Sequence, residues 1–421
     1  CSDICGAGVH QLEYFFTGTG NARPDYTNCN YVIQFGTNAG TATRHGFNMT
    51  VEPFAERRKN GLRHVVFDPH MGAAGEKADL WVPLRPGTDA AVALAIAYVL
   101  VHEENLIDRE FLTNRTNGPS LVDLETKRIV FEKTGHSLYM DADGAAKPYD
   151  QCSAPQLEGS FEVDGKQCST GFTLYKEHLR TYTPEYQEGI TTVPAATVRQ
   201  IAKELGEAAC IGQTTQIDGV TLPYRPAAVD AFSGITRHKH AFLTCWAVFS
   251  LNNLIGATNA VGGFCGFDPI CNGWTDSNPN MSWRPGLWEP EGLIDCAGLL
   301  LAFPNSYYKK VYESDYTPTT MGMMELQPIS EDNHFEHIAQ AHPDLYHTQA
   351  AEVALCYACN PIKWWGNYDE QAEIFKGYQY VVGIDMFLNE SSYFYDVFLP
   401  ECCYLERTEP LPHASGNHRV I

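Results

Sequence analysis

What this chain has little of narrows it first. Lysine and arginine number 29 against 51 aspartates and glutamates, a formal net charge of -22 over 421 residues. So acidic a surface meets nucleic acid or an anionic membrane mainly by repulsion, and any nucleotide it takes is small and held locally. Long apolar runs are missing as well: the longest, Ala90 to Val101, falls well short of the roughly 20 residues a membrane-spanning helix needs. Fourteen cysteines in so long a chain are too sparse for a disulfide scaffold, and their scatter points to buried thiols or a reducing setting. No four of them are spaced for an iron-sulfur cluster. Cys356-Tyr-Ala-Cys359 has no second pair at zinc-ligand spacing, so it reads as a strand end entering a loop. The first residue is Cys1 and the last stretch, GNHRVI, stops mid-flow, so the chain is expected to be an internal piece of a longer protein. The compartment stays open.

What is present suffices for two or three domains: 44% of residues are hydrophobic and 12% aromatic. Tyr31 to Phe35 reads as a strand ended by Gly36-Thr37-Asn38-Ala39-Gly40, followed by a helix over Glu52 to Asn60. HVVFDPH is a second strand ending at Asp68-Pro69, and DLWVPL a third, leading into a helix that Asp89 opens. This order implies a parallel sheet whose ligand loops, residues 36 to 40, 68 to 70 and 86 to 89, share one edge. Residues 113–190, rich in Gly, Asp, Thr and Pro, read as a surface insertion, and 265–350 as long irregular loops. VPAATVRQIAKELGEA reads as a helix with Pro194 in its first turn, and AFSGITRHKH runs from a loop into a buried helix stopping at Gly256. Strand patterns return in VALCYACNP, YQYVVGIDMFLNE and YDVFLPECCYLER. The expectation is an α/β protein: residues 1–230 as a dinucleotide-binding domain and 231–421 as a second α/β domain.

Asp89 follows the tight loop Pro86-Gly87-Thr88 and precedes mostly apolar residues. A carboxylate there either caps the helix or accepts two adjacent donors at once, such as the N1 hydrogen and N2 amino group of a guanine. Both readings stand on this segment alone. His238 is likewise either a proton donor and acceptor near neutral pH or a buried, hydrogen-bonded histidine at a loop-to-helix junction. Arg237, Lys239 and His240 add positive charge beside it, suited to cofactor phosphates. Trp364-Trp365 and Tyr393-Phe394-Tyr395 suit an aromatic substrate or ordinary core packing.

Six blocks in order, FGTN (35–38), FDPH (67–70), ADLWVPLRPGTDAA (78–91), GITRH (234–238), NP (360–361) and IDMFLNESSYFYDVFLPECCYLER (384–407), resemble the catalytic subunits of molybdopterin oxidoreductases of the dimethyl sulfoxide reductase family. In general look the chain is similar to the acetylene hydratase and catechol dehydroxylase branch. The resemblance implies two Rossmann-like parallel-sheet domains without the family's amino-terminal iron-sulfur domain and carboxyl-terminal barrel domain. It implies a bis-molybdopterin guanine dinucleotide cofactor with molybdenum or tungsten, and a [4Fe-4S] cluster only in the missing amino-terminal region. Gly36, Thr37, Asn38, Asp68, Gly87 and Asp89 would hold one dinucleotide, and Asn360 and Asp385 the other. Cys1, thirty-five residues before Gly36, would ligate the metal, with Cys5 as the alternative, and His238 would lie near it. A soft thiolate suits such a metal. The implied activity is two-electron oxygen-atom transfer or reductive dehydroxylation of a small molecule, and the implied partner is an iron-sulfur electron-transfer subunit. Other uses of the same scaffold are a non-redox hydratase or transhydroxylase and a metal-free structural subunit.

Overall fold

The computed structural model describes residues 7–18, 22–38, 40–41, 47–132, 136–238, 240–266, 352–364, 368–403 and 406. They divide into two compact units, one holding the residues up to 266 and the other those from 352 onward.

In the larger unit α1 (Ala7–Thr17) and the short β1 (Ala22–Pro24) lead to β2 (Tyr31–Phe35), all five of whose residues are buried. Burial on both faces is what a continuous apolar strand in a parallel sheet requires. Next come α2 (Phe47–Lys59), β3 (Arg63–Phe67), α3 (Ala73–Lys77), β4 (Leu80–Val82) and α4 (Asp89–Tyr98). β2, β3 and β4 pair in parallel, with Phe35 opposite Phe67 and Phe67 opposite Val82. The two phenylalanine rings stack at 4.5 Å. Helix α4 buries Val92, Ala93, Ala95, Ile96 and Ala97 completely, so it is apolar nearly all round and sits as a central helix.

The stretch expected to be an insertion begins in α5 (Arg109–Arg115), whose first turn is capped by Asp108 accepting from the Phe111 N–H at 2.9 Å. It continues in short antiparallel strands: β5 (Leu121–Asp123), β6 (Leu138–Met140), β7 (Ala146–Pro148), β8 (Ser160–Val163) and β9 (Lys166–Thr170). These form a three-stranded sheet, β5-β9-β8, and the hairpin β6-β7 around a small core of Leu121, Met140, Val163 and Cys168. Helices α6 (Gly171–Leu179), α7 (Pro184–Thr191) and α8 (Ala195–Ala208) and the hairpin β10 (Thr214–Ile217) with β11 (Val220–Pro223) follow. The Arg225 guanidinium then closes on Asp108 in a buried ion pair at 2.7 Å.

β12 (Ala227–Ala231) joins the parallel sheet beside β2, giving the order β12-β2-β3-β4 with Ala231 opposite Phe35. A turn of 3-10 helix at Ser233–Thr236, then α9 (Ala241–Leu254) and β13 (Phe264–Gly266), complete the unit. Asn252 of α9 reaches back to β12, accepting from the Val229 N–H and donating to the Val229 carbonyl, both at 2.8 Å. Residue 230 therefore lies inside a strand, and the helix after it is bonded to that strand, so this unit continues past 230 through the described residues up to 266.

The smaller unit is a βαβ arrangement: β14 (Val353–Tyr357), α10 (Pro361–Trp364), α11 (Tyr368–Lys376), β15 (Tyr380–Asp385), a 3-10 turn at Glu390–Phe394 and β16 (Val397–Pro400). The three strands are parallel in the order β14-β15-β16. Cys356, Ile362, Phe375 and Val381 form its core, with Phe394 and Tyr395 packed against it. Among the described residues no helix is long and apolar enough to cross a membrane.

Candidate functional site

The carboxyl ends of β12, β2, β3 and β4 lie along one edge, where ligands of open parallel sheets bind. Gly36, just past β2, has φ +53°, its N–H donates to the Phe67 carbonyl at 3.1 Å, and its carbonyl accepts from the Gly234 N–H at 3.0 Å. A Cβ on Gly36 would stand 2.8 Å from the Gly234 Cα, and one on Gly234 would stand 2.6 Å from the Gly36 Cα. The two loops therefore touch as bare backbone, a contact only glycine permits. Thr37 beside them is buried. Asn38 spends its Oδ1 on the Ala74 N–H at 3.2 Å, joining the β2 loop to α3. Asp68 closes an Asx turn with its Oδ1 on the His70 N–H at 2.9 Å, and its carbonyl accepts from Trp81 Nε1 at 2.9 Å. Turn chemistry thus takes up part of the polar capacity of Asn38 and Asp68.

Asp89 differs. It is the first residue of α4; the position before it is Thr88, and no side-chain capping bond is made there. Asp89 is only 6% exposed, and among the described residues no cation pairs with it. Burial pushes its carboxyl up to about 6, the Asp68 charge adds to the rise, and its own backbone N–H opposes it. A buried carboxylate met only by its own backbone N–H is costly, and a group shifted in this way beside strand-end loops is a candidate functional position.

His238 stands next to the Gly87 loop, its Cδ2 3.9 Å from where a Gly87 Cβ would be. Its Nδ1 accepts from the His240 N–H at 3.2 Å, which leaves the neutral ring's proton on Nε2. That Nε2 is buried and has no hydrogen-bond partner. Burial first, and the neighbouring His240 second, lower its pKa. A neutral imidazole with an unused donor therefore faces the same loop as Asp89's helix start.

In the smaller unit Asn360 lies three residues past β14 and Asp385 ends β15. They are joined by a segment that the sequence reading had not singled out, Asn389-Glu390-Ser391. Asn360 Nδ2 donates to Glu390 at 2.6 Å, and Ser391 Oγ donates to Asn360 Oδ1 at 2.8 Å. Asn389 Nδ2 donates to Asp385 Oδ2 at 3.2 Å and to the Cys359 carbonyl at 3.3 Å.

The structure thus gathers Gly36, Thr37, Asn38, Asp68, Gly87, Asp89 and His238 in the larger unit, and Asn360 with Asp385 in the smaller. Cys1, Cys5, Lys239 and Trp365 lie outside the described residues. Gly234 also escaped the sequence reading as a site residue; its GIT motif was the available signal. Cys356 is buried in its strand, while the Cys359 thiol beside it is pushed up to about 11, chiefly by burial. Phe394 and Tyr395 serve packing, whereas Tyr393 is exposed. Among the described residues no three His, Cys, Asp or Glu side chains cluster as metal ligands.

A family model described as molybdopterin oxidoreductase matches residues 10–418. A sulfite dehydrogenase subunit of Allochromatium vinosum is 29% identical over 257 residues, covering 53% of this chain and 26% of that protein. The probable dimethyl sulfoxide reductase chain YnfF of Escherichia coli is 24% identical over 417 residues, covering 97% of this chain and 41% of that protein. The chain thus spans less than half the length of these relatives. Among solved structures, acetylene hydratase from Pelobacter acetylenicus matches with a TM-score of 0.56 at 18% identity, over 98% of this chain and 46% of that one; at that identity the likeness concerns the fold. Taken with the glycine-lined strand ends and the buried carboxylate, the match over nearly the whole length decides the matter: this chain belongs to the molybdopterin oxidoreductase family.

Proposed function

We propose that this chain is the cofactor-holding part of the catalytic subunit of a bis-molybdopterin guanine dinucleotide oxidoreductase, with molybdenum or tungsten, acting on a small molecule. The observation that carries the reading is the buried Asp89 carboxylate, which no cation pairs among the described residues and which stands at the carboxyl edge of a parallel sheet. The donor set fits such a group. Asp89 offers an acceptor pair for guanine N–H groups, the Gly36–Gly234 contact leaves a backbone surface that phosphate or ribose can approach, and His238 Nε2 offers a buried donor. The cofactor supplies two-electron chemistry at its metal when bound.

The chain's own residues bind, orient and move protons. Gly36, Thr37 and Asn38 shape the floor for one dinucleotide, Asp68 and Gly87 line its course, and Asp89 reads its base. Asn360 and Asp385 do the same for the second dinucleotide. Cys1 supplies the metal's protein ligand, with Cys5 next in line, and His238 holds or moves a proton at Nε2. An iron-sulfur subunit serves as electron partner.

The test is the cofactor content of the purified full-length protein. Wild type carries guanine nucleotide and molybdenum or tungsten, and Asp89→Ala loses both while remaining folded. Unchanged content in Asp89→Ala rejects the base-reading role, and a wild-type protein free of pterin and guanine nucleotide rejects the function.

A further inference from the structure

Asn360 and Asp385 are the two positions through which the smaller unit takes its share of the proposed cofactor; Asn360 sits on the loop after β14, and Asp385 is the last residue of β15, where the chain leaves the sheet. Loops are mobile unless something fixes them, and an amide can present either its oxygen or its nitrogen outward. Here each uncertainty is removed by one neighbouring residue. A carboxylate accepts only, so the 2.6 Å contact with Glu390 forces the Asn360 nitrogen to that side. The hydroxyl of Ser391 then donates to the Asn360 oxygen at 2.8 Å and itself accepts from the Ile362 N–H at 3.1 Å. Lys363 Nζ, 3.0 Å from Glu390, holds that carboxylate from the other side. The Glu390 carboxyl is held down to about 2, by the Asn360 amide first and its own backbone N–H and Lys363 after it.

The second half of the segment holds Asp385. Asn389 Nδ2 bridges the Asp385 carboxylate and the Cys359 carbonyl, the residue just before Asn360. Asn389 is fixed in turn by a capping box: its Oδ1 accepts from the Ser391 N–H at 2.9 Å, and its N–H donates to Ser392 Oγ at 2.9 Å. Asp385 accepts from Asn389 and from the Met386 N–H at 2.7 Å. A carboxylate has about four acceptor sites, so two remain for a ligand. One short turn thus ties the ends of β14 and β15 into a single piece and sets the direction of both side chains.

We infer that Asn389, Glu390 and Ser391 are the positioning residues of this second dinucleotide site, acting through Asp385 and Asn360 rather than by touching the cofactor. The inference rests on the function proposed above. Glu390→Gln keeps the side chain's shape but lets the Asn360 amide turn either way. Ser391→Ala removes the donor on the other side, and Ser391→Thr keeps a hydroxyl.

The experiment measures metal and acid-released guanine nucleotide per polypeptide in the full-length protein, beside thermal melting of its cofactor-free form. Glu390→Gln and Ser391→Ala should each lower occupancy about 3- to 10-fold, the worth of one hydrogen bond. Their cofactor-free melting midpoints should stay within about 2 °C of wild type, and Ser391→Thr should recover most of the occupancy. Wild-type occupancy in both Glu390→Gln and Ser391→Ala overturns the positioning role. So does a loss that tracks the melting midpoint and is not recovered by Ser391→Thr. A wild-type protein carrying no guanine nucleotide at all overturns the proposed function itself, a distinct result.

Discussion

The Gly36 carbonyl and the Gly234 N–H, from residues nearly two hundred positions apart in the chain, are joined at 3.0 Å with no side chain between them. That bond ties the loop after β2 to the loop after β12 and sets the floor of the proposed cofactor site.

A methyl group at either position has nowhere to go. For Gly234→Ala the added carbon would sit 2.6 Å from the Gly36 Cα, so the loops must separate. The expected cost is about 2 to 4 kcal/mol of folding stability, with lost cofactor retention, read by urea denaturation and metal content. Gly36→Ala meets the same crowding and adds a left-handed backbone angle, so it should be at least as damaging. A Gly234→Ala protein of wild-type stability would show that the loops are not in contact.

Asp89 carries a pH signature with a definite sign. Its folded carboxyl titrates at about 6, above the roughly 3.9 of an unfolded aspartate, so the fold binds the proton more tightly than the unfolded chain does. The penalty for ionisation is absent below about pH 4, grows between pH 4 and 6, and is complete above, at about 2 to 3 kcal/mol. In the cofactor-free protein Asp89→Asn should therefore raise the melting midpoint at pH 7 and leave it unchanged at pH 4, while cofactor retention falls. No stabilisation at pH 7 would mean that the carboxylate has a partner.

His238 is lowered by burial and, to a lesser extent, by His240. Replacing His240 with glutamine removes the like-charged neighbour and keeps the backbone N–H that His238 Nδ1 accepts. The His238 pKa should rise yet remain below that of a free histidine, because burial is the larger cause. Ring-proton NMR across pH 4 to 8 reads this directly; a pKa indifferent to the substitution would assign the whole shift to burial.

The Asp108 carboxylate caps α5 and accepts from Arg225 Nε and Nη2 at 2.9 and 2.7 Å, while Arg225 Nη1 serves the carbonyls of Gln213 and Tyr224. Breaking a buried pair by removing one partner's charge leaves the other uncompensated. Asp108→Asn should cost about 3 kcal/mol or more in equilibrium denaturation. A smaller cost than for a surface pair such as Lys376 with Glu373 would contradict the burial of this pair.

Much of this was legible in the sequence. The apolar runs before Gly36 and Asp68 become adjacent parallel strands, so the turns that follow them lie at the same sheet edge, because strand periodicity and turn residues are local signals. β12 was not legible. Its sequence, Ala-Ala-Val-Asp-Ala, has little β-propensity, and it is a strand because β2 pairs with it and Asn252 holds its other side. The isolation of Asp89 was equally hidden, since a pattern shows which residue opens a helix but not what surrounds its carboxylate. The Asn389 to Ser391 turn lay inside a block that carried the resemblance, yet nothing in the spacing tied it to Asn360; that link exists only once β14 and β15 lie side by side.

The Asn252 bond to Val229 reaches beyond local packing. Among the described residues β12 is the last strand of its sheet, and an open strand edge invites pairing with another chain. With the Val229 N–H and carbonyl both taken by one amide, an incoming strand finds the middle of that edge occupied. The protection comes from a side chain on α9, so it lasts only while that helix is docked. A partial unfolding that releases α9 would uncover a sticky edge, and self-association of this protein should begin there.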